Sequence, residues 1–168
     1  MGCDIHMIAQ VKRDGAWKTT QIGVYDGRCY DLFGILAGVR SHNFDPIADP
    51  KGIPQDLAIL PVDEYDGTVR VTLDGSEEDM SDGDYNDDRA SFWLGDHSHS
   101  YLTAKEVLAY DWDQLVDNEE YFDDEENLKT DGTPLHEWVS FDDVLTLMRF
   151  LSSQHGEDNV RLVFGFDS

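Results

Sequence analysis

Asp4 and His6 stand two positions apart in the opening segment Cys3-Asp4-Ile5-His6-Met7, and His97 and His99 repeat that spacing in Gly95-Asp96-His97-Ser98-His99-Ser100. On an extended chain, residues i and i+2 emerge on one face, so each pair can converge on one ion or one substrate atom. One carboxylate and three imidazoles make an acceptable ligand set for zinc, manganese or iron, because such metals take nitrogen and oxygen donors together. A catalytic zinc keeps three protein ligands and leaves a position for water, which frees one of the four to act as acid or base; His97 and His99 are the candidates. Arg28 and Arg40 are candidate phosphate contacts, since a guanidinium offers paired donors to an oxyanion.

Plainer readings stand beside these. A strand-borne Asp-x-His also serves as a solvent-facing polar pair, a His-x-His can cap a helix through backbone hydrogen bonds, and an arginine in an acidic chain often makes a structural ion pair. No HExxH, Gly-rich phosphate loop or GxSxG elbow accompanies the pairs. Cys3 could take His6 as a base, but strand alternation puts them on opposite faces, and Cys3 reads as a small core hydrophobe. The Asp82-Gly83-Asp84 stretch lacks the glycine placement of an EF-hand calcium loop. His42, His136 and His155 are isolated and receive no role.

The elements that must position these residues follow from periodicity. Cys3, Ile5, Met7, Ala9 and Val11 alternate with polar residues, which predicts a strand with one buried face. Lys12-Arg13-Asp14-Gly15 supplies a turn, and Trp17 to Tyr25 returns as the second strand of a hairpin. Leu32, Phe33, Leu36 and Val39 predict a helix over 30–40, weakened by Gly34 and Gly38, whose small size admits close backbone approach. Four prolines between Ser41 and Pro61 predict an irregular loop, pinned by Phe44, Ile47, Ile53 and Leu57. A short strand is expected over 68–73. Thr103-Ala104-Lys105-Glu106 reads as a capping box opening a helix to about Tyr110. Ser140 opens the clearest helix, with Val144, Leu145, Leu147, Met148 and Leu151 as its apolar stripe and Gly156 as its C-cap. Val160, Leu162, Phe164 and Phe166 alternate as a last strand, expected beside the first. The whole reads as one α+β domain over 1–168, with a mixed or antiparallel sheet that includes both terminal strands and two or three helices.

The charge sets limits on partners. Among 168 residues, 36 Asp plus Glu face 12 Lys plus Arg, for a formal charge of -24. Aromatic residues make up 11% of the chain, which is too many for a disordered acidic tail and sets the charge on a folded surface. Such a surface repels phosphate backbones and anionic lipid, so neither direct nucleic-acid binding nor membrane docking is expected. Two blocks, 74–88 and 111–126, hold 17 of the acids. Two cysteines give no disulfide framework, and no apolar run is long enough for a signal peptide or a membrane span.

Met1-Gly2-Cys3-Asp4-Ile5-His6, the Arg28-to-Arg40 segment RCYDLFGILAGVR, the Gly52-Ile53-Pro54-Gln55-Asp56 turn and the Gly95-to-Leu102 segment GDHSHSYL resemble a group of small tailed-phage proteins of uncharacterised activity. The resemblance implies an accessory protein acting in the cytoplasm of an infected cell. Three functions are therefore expected in competition. The first is a divalent-metal- or histidine-dependent site that acts on or binds a phosphoester or nucleotide, using Asp4, His6, His97 and His99 with Arg28 or Arg40. The second is an acidic DNA mimic that occupies a basic host nuclease, restriction or CRISPR protein. The third leaves the charge a solubility or salt adaptation.

Overall fold

The computed structural model describes residues 2–57, 69–72, 91–116, 121–122, 128–129 and 132–167. The acidic block 74–88 lies outside the described residues, as do half of 111–126 and the ends of the strand expected over 68–73.

A four-stranded antiparallel sheet organises the domain. Strands β1 (Asp4–Arg13) and β2 (Ala16–Ile22) form the expected hairpin, joined by Asp14 and Gly15, both at positive φ as a tight two-residue hairpin turn requires. Helix α1 (Tyr30–Ala37) follows, then the short strands β3 (Arg70–Thr72) and β4 (Ser91–Trp93), which pair with each other. Strand β5 (His97–Thr103) runs into α2 (Ala104–Ala109). Four two-residue strands come next: β6 (Leu115–Val116), β7 (Tyr121–Phe122), β8 (Leu128–Lys129) and β9 (Thr133–Pro134). Helices α3 (Leu135–Trp138) and α4 (Asp142–His155) and strand β10 (Val160–Asp167) complete the chain. The sheet order is β2-β1-β10-β5, so the two terminal strands lie side by side at its centre.

The alternation in β1 and β10 separates the two faces of the sheet. Cys3, Ile5, Met7, Ala9, Val11, Val160, Leu162, Phe164 and Phe166 all join the main core, against Leu32 and Phe33 of α1, Val107 of α2 and Leu145 and Met148 of α4. Burying a side chain of this size contributes about 1.5–3 kcal/mol. Residues of opposite parity, Ile8 and Val163, seed a second cluster beneath Leu57, Val69, Val71 and Leu94. Helices thus cover one face, while among the described residues the β3–β4 hairpin and the end of the proline-rich loop pack on the other.

Local details depart from the sequence reading in two places. Helix α1 ends at Ala37 rather than Arg40, because Gly38 turns left-handed and its N–H bonds back to Gly34. Helix α4 starts at Asp142 with no side-chain cap, since Ser140 sits at φ +54 in the turn after α3. The capping box of α2 forms as expected, with Thr103 Oγ1 accepting from the Glu106 N–H and Glu106 Oε2 accepting from the Thr103 N–H. Gly34 also fulfils its expected role: a Cβ there would lie 2.5 Å from the Ser41 carbonyl oxygen, so the loop can close against α1 only over a glycine.

Candidate functional site

Where β1 begins and β10 ends, the second face carries polar side chains that are partly exposed, His6 at 21% and Asp167 at 23%. Antiparallel register sets Asp4 opposite Asp167 and His6 opposite Gly165. Asp4 and His6 therefore share a face, as their spacing predicts, and they share it with Asp167, a residue the sequence reading did not single out.

Asp167 links both. Its Oδ1 accepts the Asp4 backbone N–H at 2.9 Å, and its Oδ2 lies 3.1 Å from His6 Nε2. With Nε2–H given to the carboxylate, Nδ1 is the free basic nitrogen of His6. The Trp93 ring packs against the imidazole at 4.3 Å between centroids, and its buried Nε1 has no hydrogen-bond partner. A buried donor left unpaired costs about 1–3 kcal/mol.

Arg28 borders the site. Its Nε and Nη2 donate to Asp4 at 2.6 and 2.5 Å, and this bidentate hydrogen bond holds the Asp4 carboxyl below the usual carboxylate range. The guanidinium stays 53% exposed, so its remaining donors can still meet an oxyanion. Arg40 lies beyond the opposite end of α1, exposed and at φ +65. Eight helical residues span about 12 Å, so the two arginines do not flank a common point.

The second histidine pair is split. Along β10, Phe164 pairs with Ser100 and Phe166 pairs with His97, so β5 spends one extra residue over that step. Ser98, at φ +50, provides the bulge. In an uninterrupted strand His97 and His99 would share a face; the inserted residue turns them to opposite ones. His97 stacks on Phe166 at 6.0 Å, toward the helix-covered side. His99 falls on the open side, over Gly165, one strand away from His6. A Cβ on Gly165 would lie 2.5 Å from His99 Cδ2 and 3.0 Å from Nε2, and would meet the Leu94 carbonyl. Burial pushes the His99 imidazole below its ordinary value of 6.5, although its contact with the Gly95 carbonyl, 3.2 Å from Nε2, pulls the other way. His99 is thus a neutral imidazole at neutral pH.

Of the six residues expected at the site, Asp4, His6 and Arg28 come together with Asp167, and His99 faces them across Gly165. His97 and Arg40 lie apart from that group. Among the described residues, no three His, Cys, Asp or Glu side chains are gathered as a set able to hold a metal ion. No helix among them is long and apolar enough to cross a membrane. Asp167 and Trp93 were the residues missed. The strand alternation carried a signal for Asp167, which has the parity of Gly165 and Val163, but its meaning depends on the β1–β10 register. Nothing in the sequence pointed to Trp93.

No protein-family model matches the chain, and no curated protein or solved structure matches it either. Function therefore has to be argued from this geometry.

Proposed function

We propose that the open end of the β1–β10 face binds a phosphoester, in its simplest form a nucleotide, and that His6 moves a proton at the phosphoester oxygen. The observation that carries this reading is the Asp167–His6 contact at 3.1 Å, with Trp93 walling the imidazole. The carboxylate orients the ring and stabilises the imidazolium, which is how a histidine is made an efficient acid and base. Trp93 offers a surface on which a nucleobase can stack, while Arg28 offers donors to the phosphate. In so acidic a protein the nucleotide enters best as its divalent-cation complex, with the metal arriving as part of the substrate.

The test is a panel of nucleoside mono-, di- and triphosphates, cyclic nucleotides and dinucleotides with magnesium or manganese, followed by phosphorus NMR. The expected result is turnover of one class, reduced about 10²–10⁴-fold in His6→Asn, the usual worth of a positioned acid–base group. Absence of turnover across the panel, or turnover indifferent to His6→Asn, overturns the reading.

A further inference from the structure

Among the described residues, four other than glycine occupy the left-handed region: Asp14, Arg40, Ser98 and Ser140. Asp14 sits in the hairpin turn, Arg40 in the chain leaving α1 and Ser140 in the turn between α3 and α4. Ser98 alone does so inside a strand. A bulge with its first residue left-handed normally takes glycine, which pays no steric penalty there. Serine at this position is strained, and such strain persists where surrounding structure enforces it, most often at functional sites.

The surroundings of Ser98 supply a reason. Its Oγ lies 2.9 Å from His97 Nδ1, and His97 Nε2 faces Asp96 Oδ1 at 4.0 Å. The His97 ring is fixed by its stack on Phe166, and Asp96 is fixed because its backbone N–H donates to the Phe166 carbonyl at 2.8 Å. Hydroxyl and imidazole thus stand in hydrogen-bond contact as nucleophile and base, with the Asp96 carboxylate 4.0 Å away as a neighbouring negative charge. About one third of the His97 and Asp96 side chains remains exposed, on an edge strand that a substrate can reach.

We propose that Ser98 is a covalent nucleophile activated by His97. The Ser98 oxygen forms a bond to phosphorus, its proton passes to His97 Nδ1, and the leaving oxygen departs with that proton. Water then attacks the phosphoserine, passing a proton through His97 back to Ser98 and releasing phosphate. His97 lies on the opposite side of the sheet from His6, so this is a second site; the choice of phosphorus as its target rests on the function proposed above, and the activated hydroxyl does not.

A fluorophosphonate probe separates the two. The full-length protein is incubated with the probe and digested, and the peptide containing Ser98 is weighed by mass spectrometry. The expected result is one adduct on Ser98, with fluoride released, at a rate lowered at least tenfold in His97→Gln. Ser98→Gly removes the hydroxyl and relieves the strain, so it is expected to abolish labelling while raising the melting temperature. Absence of an adduct on Ser98 in the wild type, or labelling as fast in His97→Gln, overturns the proposal. Labelling without nucleotide turnover instead retains Ser98 and overturns only the phosphoester reading.

Discussion

Gly165→Ala is the substitution whose effect the structure defines most sharply. The added methyl would meet the Leu94 carbonyl and the His99 ring, whose Cδ2 and Nε2 lie 2.5 and 3.0 Å from its position. One of these neighbours is backbone and cannot rotate aside. Forcing a methyl group into packed surroundings costs about 1–3 kcal/mol, and a rigid wall puts this site at the upper end. At about 2–4 °C per kcal/mol for a chain of this size, a loss near 3 kcal/mol lowers the melting temperature by about 6–12 °C. Gly15→Ala is the control: Gly15 has φ +80 but nothing within 4 Å, so only backbone strain of about 1–2 kcal/mol applies. Thermal unfolding by circular dichroism measures both, and the His99 imidazole resonances report locally. They are expected to move in Gly165→Ala and to stay in place in Gly15→Ala. A Gly165→Ala protein that melts within 2 °C of wild type with unchanged His99 resonances would refute the close approach of β5 to β10 on which the site depends.

Further outcomes follow from single groups. Asp31 accepts from Ser41 Oγ at 2.7 Å, Asn43 Nδ2 at 2.9 Å and Trp138 Nε1 at 3.1 Å. Burial works against its charge, but these three donors outweigh it and hold the carboxyl below 3.8. Asp31→Asn should cost about 1–2 kcal/mol at pH 7. Because the folded value is the lower one, that cost is present above pH 3.8 and shrinks as pH falls further, measured by urea unfolding. His99 has the opposite chemistry and the same pH trend. Its folded value lies below 6.5, so the unfolded chain takes up a proton the folded one resists, and wild type should lose stability relative to His99→Gln as pH falls through 6.5. Parallel stability curves for those two proteins would contradict the burial of His99. Thr103→Ala removes the capping box of α2 and should cost about 1 kcal/mol, with no change in the resonances of His6.

Much of the fold was legible because one period dominates each element. The alternation of β1 and β10 is uninterrupted, and every residue expected on their buried faces is in the main core. The capping box rests on local chemistry that a few residues carry alone, whereas the left-handed stop at Gly38 cut short a helix expected to reach Arg40. The site was legible only in part. Asp4 and His6 share a face because β1 is regular there, whereas His97 and His99 do not because Ser98 interrupts the period, and a serine gives no warning of a bulge that glycine would have given. Asp167 and Trp93 belong to the site through pairing and packing across more than eighty residues of chain from His6. Contacts of that kind depend on register, which no single segment records.

Nitrogen-15 NMR of the histidine side chains during a nucleotide titration tests the proposed contact between a ligand and His6 Nδ1. The expected result is a His6 imidazole protonated at Nε2 in the free protein, a shift at Nδ1 that saturates with the nucleotide alongside quenching of tryptophan fluorescence, and loss of that tautomer preference in Asp167→Asn. A His6 protonated at Nδ1 in the free protein, or resonances that stay fixed through the titration, would contradict it.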